Sequence, residues 1–384
     1  MNLKRYLRLS VLLLSVVGLA ACNNSYGVFS TIQEESKNTN TSTFYKTLVP
    51  DLVAYNGSYY ARLVGIYSRP ASSAAASGWS YLDESSFGSD YVCRGMAATA
   101  TDLYVAIRNG RGSTSTARGI YMLDSSGSWT KVYSGTENIQ ALYSAKNQIF
   151  VVTMDPVSGT EYSLRHLYGT FPNLNLENTG IASVTKMPTN GIYDGTNYWF
   201  AAGTKLYKGT AENSLAEATG EMSAANSPAG NKITCLATDS VDGSSVTAIF
   251  VGTSTGYVYQ YASSAWTRAL ATSDTSYAVT TMLAVPTGAN RALLVGNSLS
   301  GYYEADLTSG LGNFTAGDNT KTYSVAATSN YDSSLDNMPV MSFVYSGTAT
   351  DGVLFACASA TAVDYTGLWS NKRTSGVWAG WASE

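Results

Sequence analysis

The stretch "NGIYDGTNYWFAAG", Asn190 to Gly203, has the pattern of two short strands joined by a tight turn. Apolar and aromatic residues flank the pair Asp194-Gly195, and an Asp-Gly pair between such runs is a strong hairpin signal. The same arrangement occurs seven times, so the chain is built from an internal repeat. The seven openings are Leu52–Gly65, Gly95–Ile107, Ile139–Val152, Asn190–Gly203, Ile233–Gly252, Thr280–Gly296 and Val340–Ala358.

The spacing of these units indicates the architecture. Intervals between equivalent positions are 43, 46, 50, 44, 47 and 60 residues, measured from Val53, Met96, Leu142, Ile192, Leu236, Leu283 and Phe343. Blades of about 40 to 50 residues are typical of β-propellers. Several units continue into a third strand and a fourth that lies near a tryptophan, as in Gly119–Tyr133, Gly256–Leu270 and Gly367–Trp381. We predict an all-β fold, a seven-bladed β-propeller of four-stranded antiparallel blades over residues 47–384.

The turns support this alignment independently. Asn56-Gly57, Asp194-Gly195, Asp242-Gly243 and Asp351-Gly352 each fall between the first and second strands of their unit. A type I′ hairpin turn needs positive φ at both central residues, so we expect it in all four pairs. The seventh unit contains its own four strands, which predicts that blade seven closes the ring by packing against blade one.

The units resemble the broad group of bacterial propellers with sialidase-like or kelch-like repeats, over about residues 48–384. "LDSSGSWT" (Leu123 to Thr130) is similar to the aspartate box of sialidase-type blades, but two residues separate its Asp and Gly where that family has one. The WD dipeptide of WD40 blades and the paired glycines of kelch repeats are missing. The resemblance therefore implies the architecture and no family-specific site.

The beginning of the chain resembles a bacterial lipoprotein signal. Lys4, Arg5 and Arg8 precede an apolar run that is too short to span a bilayer and ends in small residues before Cys22. This order is similar to a lipobox, in which cleavage before the cysteine leaves a thiol that carries a diacylglycerol. We predict a signal peptide over residues 1–21, lipidation of Cys22, and a polar tether over residues 22–46. A plain secretory signal and an extra strand over residues 26–34 are the alternatives.

The net charge of the chain and Asn23, the residue after the cysteine, limit the possible partners and the cellular location of the protein. The full chain has a net charge of −4, and removing residues 1–21 with their three basic groups gives −7. Nucleic acid is excluded as a partner because phosphate binding needs a basic surface. An aspartate directly after the lipidated cysteine retains many lipoproteins at the inner membrane, and this chain has Asn23 at that position. We therefore predict a protein of the bacterial cell envelope, lipid-anchored at the outer membrane and facing either the periplasm or the exterior.

Candidate catalytic residues are sparse. His166, the one histidine, is predicted on the third strand of blade three as a packed residue, and neither a metal site nor a cofactor motif is present. Asp51 is the only acid in the predicted inner strands, whose basic residues are Arg94, Lys186 and Lys232. Sialidases clamp a carboxylate with an arginine cluster, but these three positions lie outside that family's motif context. Cys93, Cys235 and Cys357 have no metal-site spacing and are interpreted as small buried residues, with one disulfide as the alternative.

A binding role has clearer support. "RNGRGSTSTARG" (Arg108 to Gly119) joins a second strand to a third and carries Arg108, Arg111 and Arg118 in an acidic protein. Loops displayed on a rigid scaffold are common recognition sites, although a mobile solvated loop has the same composition. We predict a non-catalytic binding or scaffold module for a protein or a glycan, as an envelope assembly factor or a surface adhesin. The alternative is a sialidase-like or glycosidase-like enzyme that uses carboxylates in the channel.

Overall fold

A computed structural model describes residues 43–44, 47–73, 78–82, 87, 91–109, 118–222, 227–241, 245–271, 277–287, 290–298, 301–307, 335, 338–348, 350–359 and 366–384. The signal peptide, Cys22, the segment 26–34, Arg111 and the pair Asp242-Gly243 lie outside these residues.

The described residues form seven antiparallel sheets that follow one another along the chain. Blades 1 to 3 comprise β1 (Asp51–Tyr55), β2 (Ser58–Arg62), β3 (Ile66–Pro70) and β4 (Ser80–Tyr81); β5 (Tyr91–Ala98), β6 (Leu103–Asn109), β7 (Gly119–Leu123) and β8 (Trp129–Tyr133); and β9 (Asn138–Ala145), β10 (Gln148–Met154), β11 (Tyr162–Thr170) and β12 (Asn173–Asn178).

The remaining blades repeat this order, with three strands of blade 6 among the described residues and one short helix, α1 (Thr219–Met222), after blade 4. Blades 4 and 5 comprise β13 (Ile192–Tyr193), β14 (Tyr198–Ala202), β15 (Lys205–Gly209) and β16 (Ala216–Glu217); and β17 (Ile233–Thr238), β18 (Ala248–Thr253), β19 (Tyr257–Ala262) and β20 (Ala265–Ala271). Blades 6 and 7 comprise β21 (Val279–Thr287), β22 (Asn290–Asn297) and β23 (Tyr302–Asp306); and β24 (Val340–Gly347), β25 (Gly352–Ala358), β26 (Gly367–Thr374) and β27 (Val377–Ser383). The predicted seven-bladed propeller is confirmed.

The hydrophobic core is divided among the interfaces between neighbouring blades. Ile120 of blade 2 packs with Ile149 and Val151 of blade 3, and similar clusters join each other pair of neighbours around the ring. A single four-stranded blade cannot bury both of its faces, so each blade depends on its two neighbours for a core.

The ring closes between blade 7 and blade 1, each of which keeps its own four strands. Phe44 is fully buried at this interface, in one cluster with Leu52 and Phe355, although the sequence placed it in the tether. The Phe44 amide donates to the carbonyl of Glu384 at 3.2 Å, and its ring contacts Trp79 with centroids 4.9 Å apart. The structured region therefore includes Phe44.

The hairpin turns depart in part from the expectation. Asn56 and Gly57 have φ of 45° and 70°, as a type I′ turn requires. At Asp194-Gly195 only the glycine has positive φ, and at Asp351-Gly352 neither residue does, so the expected turn is wrong at these two pairs. The strand register gives the reason: Tyr193 pairs with Tyr198 and Gly347 pairs with Gly352, so each loop has four residues and its Asp-Gly pair is not the centre of a two-residue turn.

Five inner strands carry a β-bulge near their start, where one residue lacks a partner on the neighbouring strand. The bulged residues are Arg94, Gln140, Thr234, Thr280 and Met341. In blades 5 and 6 the bulged threonine binds the next blade: Thr234 Oγ1 donates to the Val279 carbonyl at 2.5 Å, and Thr280 Oγ1 donates to the Val340 carbonyl. The bulge thus turns a polar side chain toward the neighbouring blade.

Candidate functional site

The inner strands surround a central cavity of about 850 Å³. Asp51 and Arg62 are the charged residues among its described lining, which otherwise consists of apolar and neutral polar side chains. Arg62 Nε donates to Asp51 Oδ2 at 2.6 Å, and the Met96 amide donates to the same oxygen at 3.1 Å. The channel acid is therefore held by an ion pair within blade 1 and by a hydrogen bond that joins blade 1 to blade 2.

Glycosidase chemistry needs two carboxyl groups about 5 to 9.5 Å apart. Asp51 supplies the only carboxylate among the described residues that line the channel. Its Oδ2 already accepts hydrogen bonds from Arg62 and from the Met96 amide. The described lining contains no carboxylate pair for acid and nucleophile.

His166 lies on β11, the third strand of blade 3, as predicted. Its Nδ1 is 2.7 Å from Glu177 Oε1, and its Nε2 is 2.9 Å from Gln148 Oε1. The imidazole is buried, with its centroid 5.5 Å from that of Phe150. Both ring nitrogens are used inside the blade, so this histidine has the contacts of a packed residue.

Cys93, Cys235 and Cys357 are buried free thiols, as the sequence predicts, and they form no disulfide with each other. Burial raises the pKa of Cys93 to about 12, that of Cys235 to about 12 and that of Cys357 to about 11. These thiols therefore stay protonated at neutral pH. No group of three or more metal-ligating side chains occurs within the part of the chain that the structure describes.

The most distinctive charged site lies where blade 2 meets the first strand of blade 3. Arg94, Arg108 and Arg118 line a small pocket there, together with Glu137 and with Ile107, Asn138 and Ile139. The structure thus brings the predicted residues Arg108 and Arg118 together. Sequence reasoning did not assign Arg94 to this site, because its orientation depends on a bulge that is visible only in the strand register.

This pocket lies on the side of the propeller that we call the loop face. The loop face carries the connections β2–β3, β6–β7, β10–β11, β14–β15, β18–β19, β22–β23 and β25–β26 and the links between successive blades. The opposite side, which carries the β1–β2 type of hairpin turn, is called the turn face. Tyr91 at the start of β5 pairs with Asn109 at the end of β6, so Arg94 and Arg108 share the loop-face end of blade 2.

The charges of the pocket are only partly balanced. Burial lowers the pKa of Arg94, and the nearby charges of Arg108 and Arg62 lower it further. Arg94 Nε is buried and has no hydrogen-bond partner, while Arg118 donates to the Thr136 carbonyl. Glu137, the carboxylate of the pocket, accepts a hydrogen bond from the Tyr133 hydroxyl. Cationic groups therefore outnumber the carboxylate at this site.

A second cationic region lies at blades 4 and 5. Lys186 and Lys232 precede β13 and β17 rather than lying in inner strands, which corrects the prediction, and with Lys205 they line a cleft of about 530 Å³. Lys205 Nζ pairs with Glu217 Oε2 at 2.7 Å. All three lysines are exposed, as solvated residues commonly are, so the arginine pocket is the better candidate site.

The described residues include no helix with the length and apolarity that a bilayer crossing needs. Neither a protein-family model nor a curated protein matches the sequence.

Solved propeller structures do match. YCF48 bound to D1 peptide has a TM-score of 0.51 and 9% identity, over 88% of this chain and 93% of that one. The extracellular domain of the hybrid two-component system protein BT4673 from B. thetaiotaomicron has a TM-score of 0.52 and 12% identity, over 84% of this chain and 37% of that one.

PorZ, a surface component of the type-IX secretion system of Porphyromonas gingivalis, has a TM-score of 0.48 and 12% identity over 88% of this chain. This chain spans only 38% of PorZ. At such identities the similarities to YCF48 and to BT4673 show the fold alone: the chain is a seven-bladed β-propeller.

Proposed function

We propose that this chain is a non-catalytic binding module, held at the bacterial cell envelope by a lipid on Cys22, whose loop face at blades 2 and 3 recognises a partner. The observation that carries the proposal is the arginine pocket. Arg94 Nε is buried without an acceptor, and Arg108 is exposed with no ion pair to any described residue. Clustered like charges cost stability, so a bound partner that supplies negative charge accounts for their presence.

Site-specific photo-crosslinking in the native bacterium tests the proposed surface. A photoreactive phenylalanine analogue replaces Thr136, which is exposed beside the pocket, or Lys372, which is exposed near the turn face. We expect a discrete adduct from position 136 and none from position 372. Equal adducts from both positions, or none from position 136, would contradict recognition by the loop face.

The lipid anchor is tested separately. Cys22→Ser removes the thiol that would carry the diacylglycerol, so we expect the protein to move from the membrane fraction to the soluble fraction. An alanine substitution of Cys93, a buried cysteine of blade 2, is the matched control and should leave the protein in the membrane fraction. Membrane retention of the Cys22→Ser protein would contradict the anchor.

Protease shaving of intact cells distinguishes a surface adhesin from a periplasmic assembly factor. Degradation on intact cells would indicate a surface adhesin, whereas protection until lysis would indicate a periplasmic assembly factor. A carbohydrate-active enzyme remains the competing function, and no contact of the described residues favours it. Hydrolysis of a glycan panel that Asp51→Asn abolishes would establish that alternative.

A further inference from the structure

We infer that the pocket formed by Arg94, Arg108 and Arg118 binds a carboxylate side chain of a protein partner. The inference rests on the proposed binding function and gives the chemistry of the group that the loop face recognises. Three features of the pocket carry it: the placement of Arg94, the balance of charge and the volume.

The placement of Arg94 differs from that of the threonines at the equivalent bulge of blades 5 and 6. It occupies the bulge that Thr234 and Thr280 occupy in blades 5 and 6, where the threonine hydroxyl bonds to a carbonyl of the next blade. Arg94 makes no such bond, and its Nε is buried without an acceptor. A threonine would therefore serve the junction between blades, and the arginine brings a cationic donor that the fold does not use.

The charge balance favours an anion. Three guanidinium groups line the pocket with one carboxylate, Glu137, which already accepts a hydrogen bond from Tyr133. Guanidinium groups bind carboxylates through two parallel hydrogen bonds, which adds both strength and orientation. A second carboxylate would supply acceptors for the donors of Arg94 and Arg108.

The volume restricts what can enter. The enclosed space is about 10 Å³, which is close to the space that one water molecule needs. Neither a sugar ring nor a whole side chain fits inside, so a ligand must reach the guanidinium groups from outside. The carboxylate of an aspartate or glutamate lies at the end of a narrow methylene stem, whereas that of an acidic sugar is bonded directly to the bulky ring. This favours an acidic residue of a protein over an acidic glycan.

Fluorescence anisotropy with a labelled hexaglutamate peptide tests the inference on the purified chain that begins at Asn23. The double variant Arg94→Thr/Arg108→Ser removes two guanidinium groups and installs the residue that blades 5 and 6 carry at the bulge. We expect it to bind the peptide at least about tenfold more weakly, the loss of about one charge-assisted bidentate contact. Lys232→Ser/Lys372→Ser removes the same charge elsewhere and should stay within about twofold.

Two further measurements keep the test decisive. Arg108→Ser alone changes an exposed residue and should weaken binding several-fold even if the double variant unfolds. A labelled galacturonate hexamer carries the same number of carboxylates on sugar rings and should bind more weakly than hexaglutamate.

The inference fails if hexaglutamate does not bind, if both double variants bind it equally, or if the galacturonate hexamer binds more tightly and loses affinity in the arginine variants. If the peptide-binding test fails but position 136 still gives a photo-crosslink, the proposed binding module remains supported and only the recognition of a carboxylate is contradicted. If position 136 also gives no photo-crosslink, the proposed binding function is contradicted as well.

Discussion

Aspartates at the hairpin turns are held by the turns themselves. Asp124 Oδ1 accepts the amide of Ser126 at 2.9 Å, and Asp194 Oδ1 accepts the amide of Asn197 at 2.7 Å. Asp194 Oδ2 also accepts Trp199 Nε1 at 2.6 Å. These acids are part of the hydrogen bonding that shapes the propeller, so the net negative charge of the chain does not by itself indicate a site for cations.

We predict that Asp194→Ala lowers the free energy of unfolding by about 2 to 3 kcal/mol, because it removes charged hydrogen bonds and leaves the indole of the fully buried Trp199 without this acceptor. Urea denaturation measures the change. Asp155→Ala is the matched control, since Asp155 Oδ1 accepts only an exposed turn amide, that of Val157 at 2.7 Å. If Asp155→Ala lowers the free energy of unfolding as much as Asp194→Ala does, the contact with the Trp199 indole is not the cause of the loss.

The pKa of Asp194 predicts a pH dependence. Burial alone raises this pKa, but the hydrogen bonds from Asn197, Trp199 and Thr196 outweigh burial and lower it below the usual value of about 3.9. A lowered folded pKa stabilises the protein fully above the unfolded value, and the contribution is lost as pH falls through the folded value. We expect the stability difference between wild type and Asp194→Asn to shrink below about pH 4. A difference that stays constant down to pH 2 would contradict the assignment.

At the scale of elements, close contact between inner strands sets the geometry of the ring. Gly95 follows the bulge of β5, and a Cβ built there would lie 2.5 Å from the Leu142 amide nitrogen and 2.9 Å from the Ala141 carbonyl carbon of β9. Backbone atoms cannot retreat as a flexible side chain can. The glycine therefore allows blades 2 and 3 to approach.

We predict that Gly95→Ala destabilises the protein by about 1 to 3 kcal/mol, because the added methyl group forces these two strands apart. Gly220→Ala is the matched control, since a Cβ on Gly220 would meet nothing within 4 Å. Thermal unfolding of the two variants measures the contrast. Equal melting temperatures would show that blade 2 can shift without cost.

The elements also show how far the sequence predicts the structure. Repeat spacing predicted seven blades because alternating apolar residues and turn residues are local signals. Turn type was predictable at Asn56-Gly57, but Lys146-Asn147 and Ser263-Ser264 adopt positive φ at both residues without the usual glycine. Arg94 was missed because a bulge depends on the pairing of two strands. Lys186 and Lys232 were placed in inner strands because strand ends are poorly defined by composition.

At the scale of the whole molecule, closure combines apolar packing with a buried ion pair. Arg69 NH1 lies 2.8 Å from Glu384 Oε2, and the two side chains are 2% and 0% exposed. Trp79 Nε1 donates to the same carboxylate oxygen at 2.9 Å. The Arg69 guanidinium also lies 5.3 Å from the ring centroid of Tyr59 and 5.7 Å from that of Phe355. One arginine thus joins the first blade to the last.

We predict that Arg69→Met lowers the free energy of unfolding by about 3 to 5 kcal/mol, because it leaves the Glu384 carboxylate buried without its cation. Urea denaturation at neutral pH measures the loss. Lys205→Met breaks the exposed pair with Glu217 and is the control, with little change expected because water screens that pair.

The double variant Arg69→Met/Glu384→Met distinguishes an uncompensated charge from lost packing. If the cost of Arg69→Met comes from the isolated carboxylate, replacing that carboxylate with an apolar side chain should recover most of the stability, since two buried methionines need no charge partner. If the cost comes from the contacts of the guanidinium with Tyr59, Trp79 and Phe355, the second substitution should recover nothing. Recovery would show that apolar packing between blades 7 and 1 closes the ring, and that the ion pair fixes the alignment of the two blades.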